Sequence, residues 1–539
     1  MNAPVRPDQF NLALIPESAP FAPAQRAWLN GFLAGLLGLQ GGAQVDAAPG
    51  AAAQPEVEED FPWHDPVLAL DERLKLAAGR PFARRLMAAM GQLDCGQCGY
   101  QCKEYAEAIA QGAEKDLGRC VPGGRATAKK VRELLATEGA TQAVAPVGPQ
   151  AAPGPARTKP ADAESGYHRE APVFTPLIAS TLLTDAGSER RIQHVTLDLG
   201  DTGLAYQPGD SLGVWVRNNP EEVELILALL DAKGSEPVTL ADGTVAPARE
   251  ALSRHCDLRS PTASLYWTLS KFARSAREAA ALAKLADDDA GAHRLGIHEA
   301  LNTLTRFPSA RPPVAEFVAA LGRLQPRMYS IASSPRAHPH EVHLTIAVVS
   351  YELFARNYRG VASNFFAERL TPGRKLPVYV QRAHGFALPA DDVPIIMVGP
   401  GTGIAPFRAF LEEREARGAT GKNWLIFGNQ KRNCYFLYRG QLEGWQASGL
   451  LSRLDLAFSR DQPHKIYVQD RMRENARELW EWLRAGAHFY VCGDAQHMAA
   501  DVDCALTEII AEQGGMDLQA ARSHVAALAK SSRYQRDIY

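Results

Sequence analysis

The sequence predicts a multidomain protein: a small α-helical domain, an antiparallel β-barrel with a helical insertion, and a doubly wound α/β domain. The first observation is length, since 539 residues exceed what one hydrophobic core usually supports. The second is a pair of Ala/Pro/Gly-rich stretches without apolar periodicity, 41–60 and 140–166, which separate three pieces. The third is a change of pattern: strand-like runs such as RIQHVTLDLG begin after 167, and strands alternate with helices from 393.

These observations set the predicted domain boundaries. In chain order they are a docking-helix segment (1–42), a cysteine-rich helical domain (61–139), a flexible linker (140–166), a barrel (167–390) with a helical insertion at about 215–322, and a doubly wound domain (391–539).

The first segment contains one predicted amphipathic helix. Apolar residues from Trp28 to Leu37 recur at helical spacing, and Gly41 and Gly42 follow as a stop. Such a helix could dock a partner protein or a second copy of the chain, and packing on the chain's own later domains remains an alternative.

Composition excludes several classes of function. The formal net charge is −3, so the chain has no bulk electrostatic footprint for nucleic acid or an anionic membrane. The N-terminus lacks a basic start followed by an apolar run, and no apolar stretch approaches the roughly 20 residues of a membrane helix. We therefore expect a cytoplasmic protein that binds neither.

Half of the eight cysteines are crowded near the front of the chain. Cys95, Cys98 and Cys102 lie in DCGQCGYQC, and Cys120 follows in RCVPGG. Gly96 and Gly99 allow tight turns that aim backbone N–H groups at sulfur atoms. The spacing predicts a metal centre with these four ligands, and either an iron–sulfur cluster or structural zinc could use it.

Two stretches of the predicted barrel suit a phosphorylated ring cofactor. In RLQPRMYSIASSP, Arg327 can neutralise a phosphate, Tyr329 can stack on a ring and Ser330 can donate a hydrogen bond. In YRGVASNFFAERL, Gly360 and the small residues through Ser363 are predicted just before a helix, where N–H groups hold a pyrophosphate. Ordinary barrel wall is the alternative for the first stretch, and a capped helix without ligand is the alternative for the second.

The last domain carries nucleotide-binding features. PIIMVGPGTGIAPFRAF predicts a strand, a Gly-rich turn from Gly399 to Gly403 and a helix. Cationic and hydroxyl-bearing residues after a later strand suit a ribose 2′-phosphate, which favours NADP over NAD, although a solvated charged face has the same composition. These residues are Ser459, Arg460, Lys465, Tyr467 and Gln469.

Taken in order, YQPGDSLGVW, RMYSIASSP, GPGTGIAPFRAF, SRDQ, KIYVQD, YVCGDA and RYQRDIY resemble the ferredoxin–NADP reductase module of the diflavin reductases, most closely the NADPH-sulfite reductase flavoprotein family. The resemblance covers 167–539 and implies an NADPH-dependent oxidoreductase. It assigns FAD to Arg327, Tyr329, Ser330, Tyr351, Gly360, Val361, Ala362, Ser363 and Tyr539. It assigns NADPH to Gly401, Thr402, Gly403, Ser459, Arg460, Lys465, Tyr467, Gln469 and Asp494.

The resemblance also implies the reacting groups. Ser330, Cys492 and Asp537 would assist hydride transfer, and Tyr539 would cover the flavin and move aside for nicotinamide. The cysteine segment is similar to small domains that carry a [4Fe-4S] cluster, although the gap before Cys102 is one residue shorter. Ala387 stands where the family often has a basic residue, so one phosphate contact is expected to be missing.

Residues 1–166 show neither the phosphate loop nor the length of the family's FMN domain, so we expect no FMN. The cysteine-rich domain is then predicted to take its place, on a linker long enough to swing, in a path from NADPH through FAD and [4Fe-4S] to a sulfite reductase haem subunit. A molybdenum nitrate reductase as acceptor is the alternative. A scaffold flavoprotein with structural zinc is a third possibility.

Overall fold

The computed structural model describes residues 61–139, 166–185, 187–287, 299–353, 356–383, 385–495 and 497–539. The predicted docking segment 1–42 and the linker 140–165 lie outside the described residues. The chain divides into two units, Met1–Phe61 and Pro62–Tyr539. All elements below belong to the second unit.

Residues 62–139 form a small helical domain that contains no strand. Its helices are α1 (Leu70–Leu76), α2 (Phe82–Ala88), α3 (Cys102–Ala110) and α4 (Gly124–Gly139). α3 begins at Cys102 because the chain before it caps the helix: Asp94 accepts the Cys102 N–H at 2.7 Å, and Glu104 accepts the Gln101 N–H at 3.1 Å.

Residues 166–383 combine an antiparallel sheet with an insertion. The elements in chain order are β1 (Val173–Leu182), β2 (Ile192–Asp198), β3 (Ser211–Val214), α5 (Pro220–Leu229), β4 (Pro237–Thr239), β5 (Val245–Pro247), α6 (Ala248–Arg254), β6 (Cys256–Asp257), α7 (Ala263–Phe272), α8 (Ala276–Asp287), α9 (Ala300–Arg306), α10 (Val314–Ala320), β7 (Gly322–Arg323), β8 (Arg327–Ser330), β9 (Glu341–Ala347), β10 (Ser350–Leu353), β11 (Arg356–Arg359), α11 (Val361–Asn364) and β12 (Lys375–Gln381).

The main sheet of this region has the strand order β8-β3-β12-β1-β2-β9, and every neighbouring pair is antiparallel. Its two outer strands also meet, through a bridge between Ile331 and Leu344, and this sheet with its connecting segments is called the barrel below. Alternate residues of β12, Leu376, Val378 and Val380, enter one buried core, as expected for strands with a single apolar face.

The insertion lies between β3 and β8 and has a core of its own, which includes Val223, Leu252, Tyr266 and Phe317. It is mostly helical, as predicted, and it also contains the short strands β4 to β7. The insertion therefore packs as a separate subdomain.

The last region, 385–539, is built on a parallel sheet. Its elements are β13 (Ile395–Val398), α12 (Ala405–Arg417), β14 (Asn423–Asn429), α13 (Arg432–Tyr435), α14 (Arg439–Ser448), β15 (Arg453–Phe458), α15 (Val468–Glu474), α16 (Ala476–Arg484), β16 (His488–Gly493), α17 (Met498–Gly514), α18 (Leu518–Lys530) and β17 (Tyr534–Ile538). The strand order is β15-β14-β13-β16-β17, and all four pairs are parallel.

Helices cover both faces of the parallel sheet. Along β13, Ile395 and Met397 pack into one core with Phe407 of α12, whereas Ile396 and Val398 pack into another with Leu506 of α17. A strand buried on both faces reads as a continuous apolar run, which is why IIMV could be recognised in the sequence.

A buried polar network joins the parallel-sheet region to the barrel. Arg408 of α12 donates to the carbonyl oxygen of Ala332 and pairs with Glu412 at 2.6 Å, and its NH1 lies 3.3 Å from His343 Nδ1 on β9. Glu412 also accepts the Ser334 N–H at 3.0 Å. Because each charged group has partners, the two regions are held in one arrangement.

Within the described ranges, no helix is both long enough and apolar enough to cross a bilayer.

Candidate functional site

Three strands bring Ser330, Cys492 and Asp537 together where the barrel meets the parallel sheet. Ser330 Oγ donates to Asp537 Oδ2 at 2.5 Å, and the Cys492 thiol donates to the same oxygen at 3.6 Å. Ser330 ends β8 in the barrel, whereas Cys492 and Asp537 lie on β16 and β17. Two domains must therefore pack correctly for the trio to form.

Parallel pairing fixes the last two of these residues. Cys492 and Asp537 are direct partners in the register of β16 with β17. Since side chains alternate along a strand, a slip of one residue would turn the carboxyl group to the other face of the sheet.

Burial controls the protonation of both groups. It raises the pKa of Asp537 above its usual value, although hydrogen bonds from Ser330 and Cys492 oppose the rise. Burial, together with the Asp537 carboxylate, raises the pKa of Cys492 well above 9. At neutral pH Cys492 is a thiol and not a nucleophilic thiolate.

The Gly-rich turn lies at the point where the order of the parallel sheet reverses. The chain runs from β13 outward through β14 and β15, and then returns to add β16 on the other side. Gly401–Ile404 forms a 3₁₀ turn after β13, next to the end of β16. Nucleotides bind open α/β sheets in this crevice, at the carboxyl ends of the strands.

Gly403 has no room for a side chain. A Cβ built there would lie 2.1 Å from the Cys492 carbonyl oxygen. Thr402 shares a hydrogen bond of 2.8 Å with the hydroxyl of Tyr539, and the Tyr539 backbone is paired with Gly493 and Ala495 at 3.1 Å. The Tyr539 side chain is 56% exposed above this turn.

The residues predicted around a 2′-phosphate lie at the carboxyl end of β15. Ser459 and Arg460 follow the strand directly, and exposed Lys465 and Tyr467 precede α15. Arg460 pairs with Glu189 at 3.4 Å on the surface, and Gln469 donates to Asp501 at 3.1 Å. Asp494, predicted to close the pocket, accepts the N–H groups of His497 and Met498.

The predicted flavin-contact residues occupy β8 and the segment around α11. The Tyr329 ring packs edge-on against Phe366 at 5.9 Å, and Arg327 donates to the Gln325 carbonyl oxygen at 3.1 Å. Tyr351 is 50% exposed and stacks on Tyr358 at 5.3 Å, so its predicted adenine contact stays a prediction.

One expectation for this segment was wrong. Only Gly360 precedes the helix, because Val361, Ala362 and Ser363 already form α11. Ser363 Oγ accepts the Val349 N–H at 3.0 Å, which leaves its own proton available for donation.

Cys95, Cys98, Cys102 and Cys120 line one cavity, together with Leu93, Tyr105 and Pro122. The loop that carries three of these cysteines has left-handed backbone at Gly96 (φ +63°) and Gly99 (φ +90°), as the turn argument predicted. The Gly91 N–H donates to Cys120 Sγ at 3.3 Å. Backbone donors of this kind stabilise ligating sulfur.

The spacing of the thiols bears on which metal they suit. Among the described residues, no three of these four sulfur atoms all lie within 4.8 Å of one another. A single tetrahedral zinc, about 2.3 Å from each thiolate, holds its sulfurs about 3.8 Å apart. The arrangement fits a larger iron–sulfur cluster, whose cysteines bind separate iron atoms.

Two opposing electrostatic effects act on the thiols of the cavity. Burial raises the pKa of the Cys95 thiol to about 12 and raises the pKa of Cys98, so empty thiols would stay protonated. Three guanidinium groups oppose that effect: Arg119 and Arg169 act on Cys98, and Arg73 acts on Cys120. Such cations stabilise thiolates bound to a metal.

The helical domain contacts both other regions, through residues that the sequence did not single out. Gln97, between two of the cysteines, donates to the Pro326 carbonyl oxygen at 2.8 Å. Asp65 pairs with Arg536 of β17 at 3.2 Å. No local pattern marks these contacts, since Gln97 reads only as a spacer in the cysteine motif.

Three family models match the chain: an FAD binding domain at 166–365, an oxidoreductase NAD-binding domain at 397–503 and an Fe-S cluster at 91–122. The sulfite reductase [NADPH] flavoprotein alpha-component of Klebsiella pneumoniae is 36% identical, and the alignment covers 99% of this chain and 98% of that relative. The chain belongs to the sulfite reductase flavoprotein family.

Other relatives of that name match over a shorter range. Those of Cronobacter sakazakii and Salmonella typhimurium are 46% and 44% identical, over 69% and 70% of this chain. Each of these alignments spans 62% of the relative's own length. All of these relatives are named as subunits of sulfite reductase, so a nitrate reductase as the electron acceptor is not favoured.

Proposed function

We propose that the chain is an NADPH-dependent electron-transfer flavoprotein that serves the haem subunit of a sulfite reductase. The observation that carries the proposal is the convergence of Ser330, Cys492 and Asp537 at the mouth of the nucleotide crevice. When bound, FAD would accept hydride from NADPH, and a [4Fe-4S] cluster would pass single electrons onward.

Each residue of the trio has a distinct role in the proposal. Ser330 would hold the flavin edge through its hydroxyl, and Asp537 would offer a negative charge to a nicotinamide ring that becomes cationic. Cys492, buried and protonated, would pack beside the reacting carbon. Tyr539 would cover the flavin and move aside for nicotinamide.

Binding is proposed to follow the positions described above. Arg327, Tyr329, Tyr351 and the segment from Gly360 to Ser363 hold FAD. Gly401 to Gly403 approach the NADPH pyrophosphate, and the group at the end of β15 holds the 2′-phosphate. Cys95, Cys98, Cys102 and Cys120 hold the cluster, which replaces FMN as the one-electron carrier.

Anaerobic metal and flavin analysis, with EPR after addition of NADPH, tests the cofactor set. We expect one [4Fe-4S] cluster and one FAD per chain, no FMN, and a cluster signal that appears on reduction. Zinc in place of iron, or stoichiometric FMN, would overturn this part of the proposal.

Cys98→Ser tests the order of transfer. The variant should still reduce ferricyanide with NADPH, because that reaction needs only the flavin site, and it should fail to deliver electrons to the haem subunit. Cys504→Ser, at an exposed cysteine on α17, is the matched control and should retain both activities. Loss of both activities in folded Cys98→Ser would contradict the proposed sequence.

A further inference from the structure

Two hydrogen bonds that run in opposite directions join the cysteine loop, residues 94–102, to the barrel. The Gln97 side chain donates to the Pro326 carbonyl oxygen at 2.8 Å, and the Arg169 guanidinium donates back to the Gln97 carbonyl oxygen. Arg169 also donates to Gln325 Oε1 at 3.0 Å. Gln325 and Pro326 lead directly into β8, which carries Arg327, Tyr329 and Ser330.

The barrel, not the loop, positions Arg169. The guanidinium lies 5.5 Å from the centre of the Trp215 ring, and the Trp215 indole N–H donates to the Arg169 carbonyl oxygen at 3.1 Å. Only 9% of the Arg169 side chain is exposed. A buried guanidinium needs oriented acceptors, and here two of its acceptors are the cysteine-loop carbonyl and Gln325.

The surface of the loop fits closely against the barrel at its two glycines. A Cβ at Gly99 would lie 3.0 Å from Arg169 Cδ, and a Cβ at Gly96 would lie 2.6 Å from Gln381 Oε1. The Arg169 and Gln381 side chains therefore lie directly against the two turns of the loop.

The same domain also rests on the parallel-sheet region. Besides the ion pair of Asp65 with Arg536, Val67 and Leu93 pack against the core that includes Phe489 and Tyr534. Arg536 is the neighbour of Asp537 on β17. The cysteine domain thus touches both regions that form the hydride site.

We propose that Arg169 and Gln97 are positioning residues that lock the cysteine loop onto β8, so that the cluster site is already docked beside the flavin site in the resting protein. The role of this docking in electron transfer rests on the proposed function, whereas the docking itself rests on protein contacts alone. Swinging on the linker 140–166 is then not required for the first transfer. No bond forms or breaks at the lock.

Hydrogen exchange of the full-length holoprotein tests the docking. Arg169→Ala should raise exchange in peptides that cover 94–102 and 325–330 by about tenfold or more, because it removes charge-assisted hydrogen bonds. Arg382→Ala is the matched control: its partners, Asp210 and the Tyr167 ring, belong to the barrel, and it should leave the cysteine-loop peptide unchanged.

Rapid mixing with NADPH tests whether the docked loop speeds electron transfer from the flavin to the cluster. Arg169→Ala should reduce its flavin at the wild-type rate and its cluster several-fold more slowly. Arg169→Lys keeps the positive charge but lacks the planar guanidinium, so its rate of cluster reduction should lie between those of the wild type and Arg169→Ala. If Arg169→Ala does not fold, the lysine variant alone tests the inference. Unchanged exchange in both variants, or lost protection with cluster reduction at the wild-type rate, would overturn the inference.

The two proposals fail separately. If the wild-type protein contains no iron, the relay is refuted, and the exchange comparison still decides whether the loop is docked. If iron and the relay are present but the wild-type loop exchanges freely, only the lock is refuted.

Discussion

Asp537 shows how much one carboxyl group controls at the residue scale. Asp537→Asn keeps the shape of the side chain but removes the negative charge that we propose acts on nicotinamide. We expect kcat for NADPH-dependent ferricyanide reduction to fall by about 10²-fold with little change in KM, since the charge acts mainly in the transition state.

The protonation of Asp537 predicts the direction in which kcat changes with pH. Burial raises the pKa of Asp537 above its ordinary value of 3.8, and in the proposed mechanism the carboxylate is the active form. Wild-type kcat should therefore fall as the pH is lowered toward that pKa, and Asp537→Asn should lack this acid limb. Asp517→Asn, which preserves the cap of α18, should keep the wild-type profile. An acid limb that persists in Asp537→Asn would assign it to another group.

At the scale of the element, the turn after β13 depends on a glycine. Gly403→Ala forces the turn away from β16, because the new Cβ meets backbone at 2.1 Å and not a movable side chain. Overpacking of this kind costs about 1–3 kcal/mol in the free energy of unfolding. Urea denaturation of the FAD-bound protein measures it.

Gly444→Ala supplies the control for that experiment. Gly444 lies in the middle of α14, and a Cβ there meets nothing within 4 Å. Alanine should raise the free energy of unfolding by about 0.5–1 kcal/mol, because glycine is the poorer helix former. Equal effects of the two substitutions would show that the contact with Cys492 can relax.

At the scale of the whole molecule, buried histidines at the junction of the two large regions make stability depend on pH. His343 is 4% exposed, and burial, together with the nearby Arg408 guanidinium, lowers its pKa to about 3, despite its 2.8 Å contact with Glu341. Below pH 6.5 the unfolded chain takes up a proton at this position and the folded protein does not.

The free energy of unfolding should therefore fall as the pH is lowered from 6.5, by about 2 kcal/mol at pH 5 for this one group. His343→Gln should remove that share of the acid sensitivity, measured by urea unfolding at each pH. His464→Gln, at an exposed histidine, should retain it. A variant of His343 with the full wild-type slope would place the proton uptake elsewhere.

Local patterns in the sequence account for part of this architecture. An apolar run predicted the buried strand β13, and the glycines of the cysteine motif predicted its turns. The meeting of Ser330 with Asp537, 207 residues away, has no local signal, and it was expected only from the family resemblance. Gln97 and Arg169 escaped notice because their contacts join distant parts of the chain. The start of α11 was misplaced because small residues fit a helix and a phosphate loop equally well.

The position of β17 as the last described element of the chain has a consequence for the order in which the site is synthesised. This strand follows every other described element in the chain, and it supplies both Asp537 and the Arg536 that holds Asp65. A ribosome therefore delivers the strands that carry Ser330 and Cys492 before the strand that carries Asp537. The contact of Ser330 with Asp537 can form only once synthesis has reached β17.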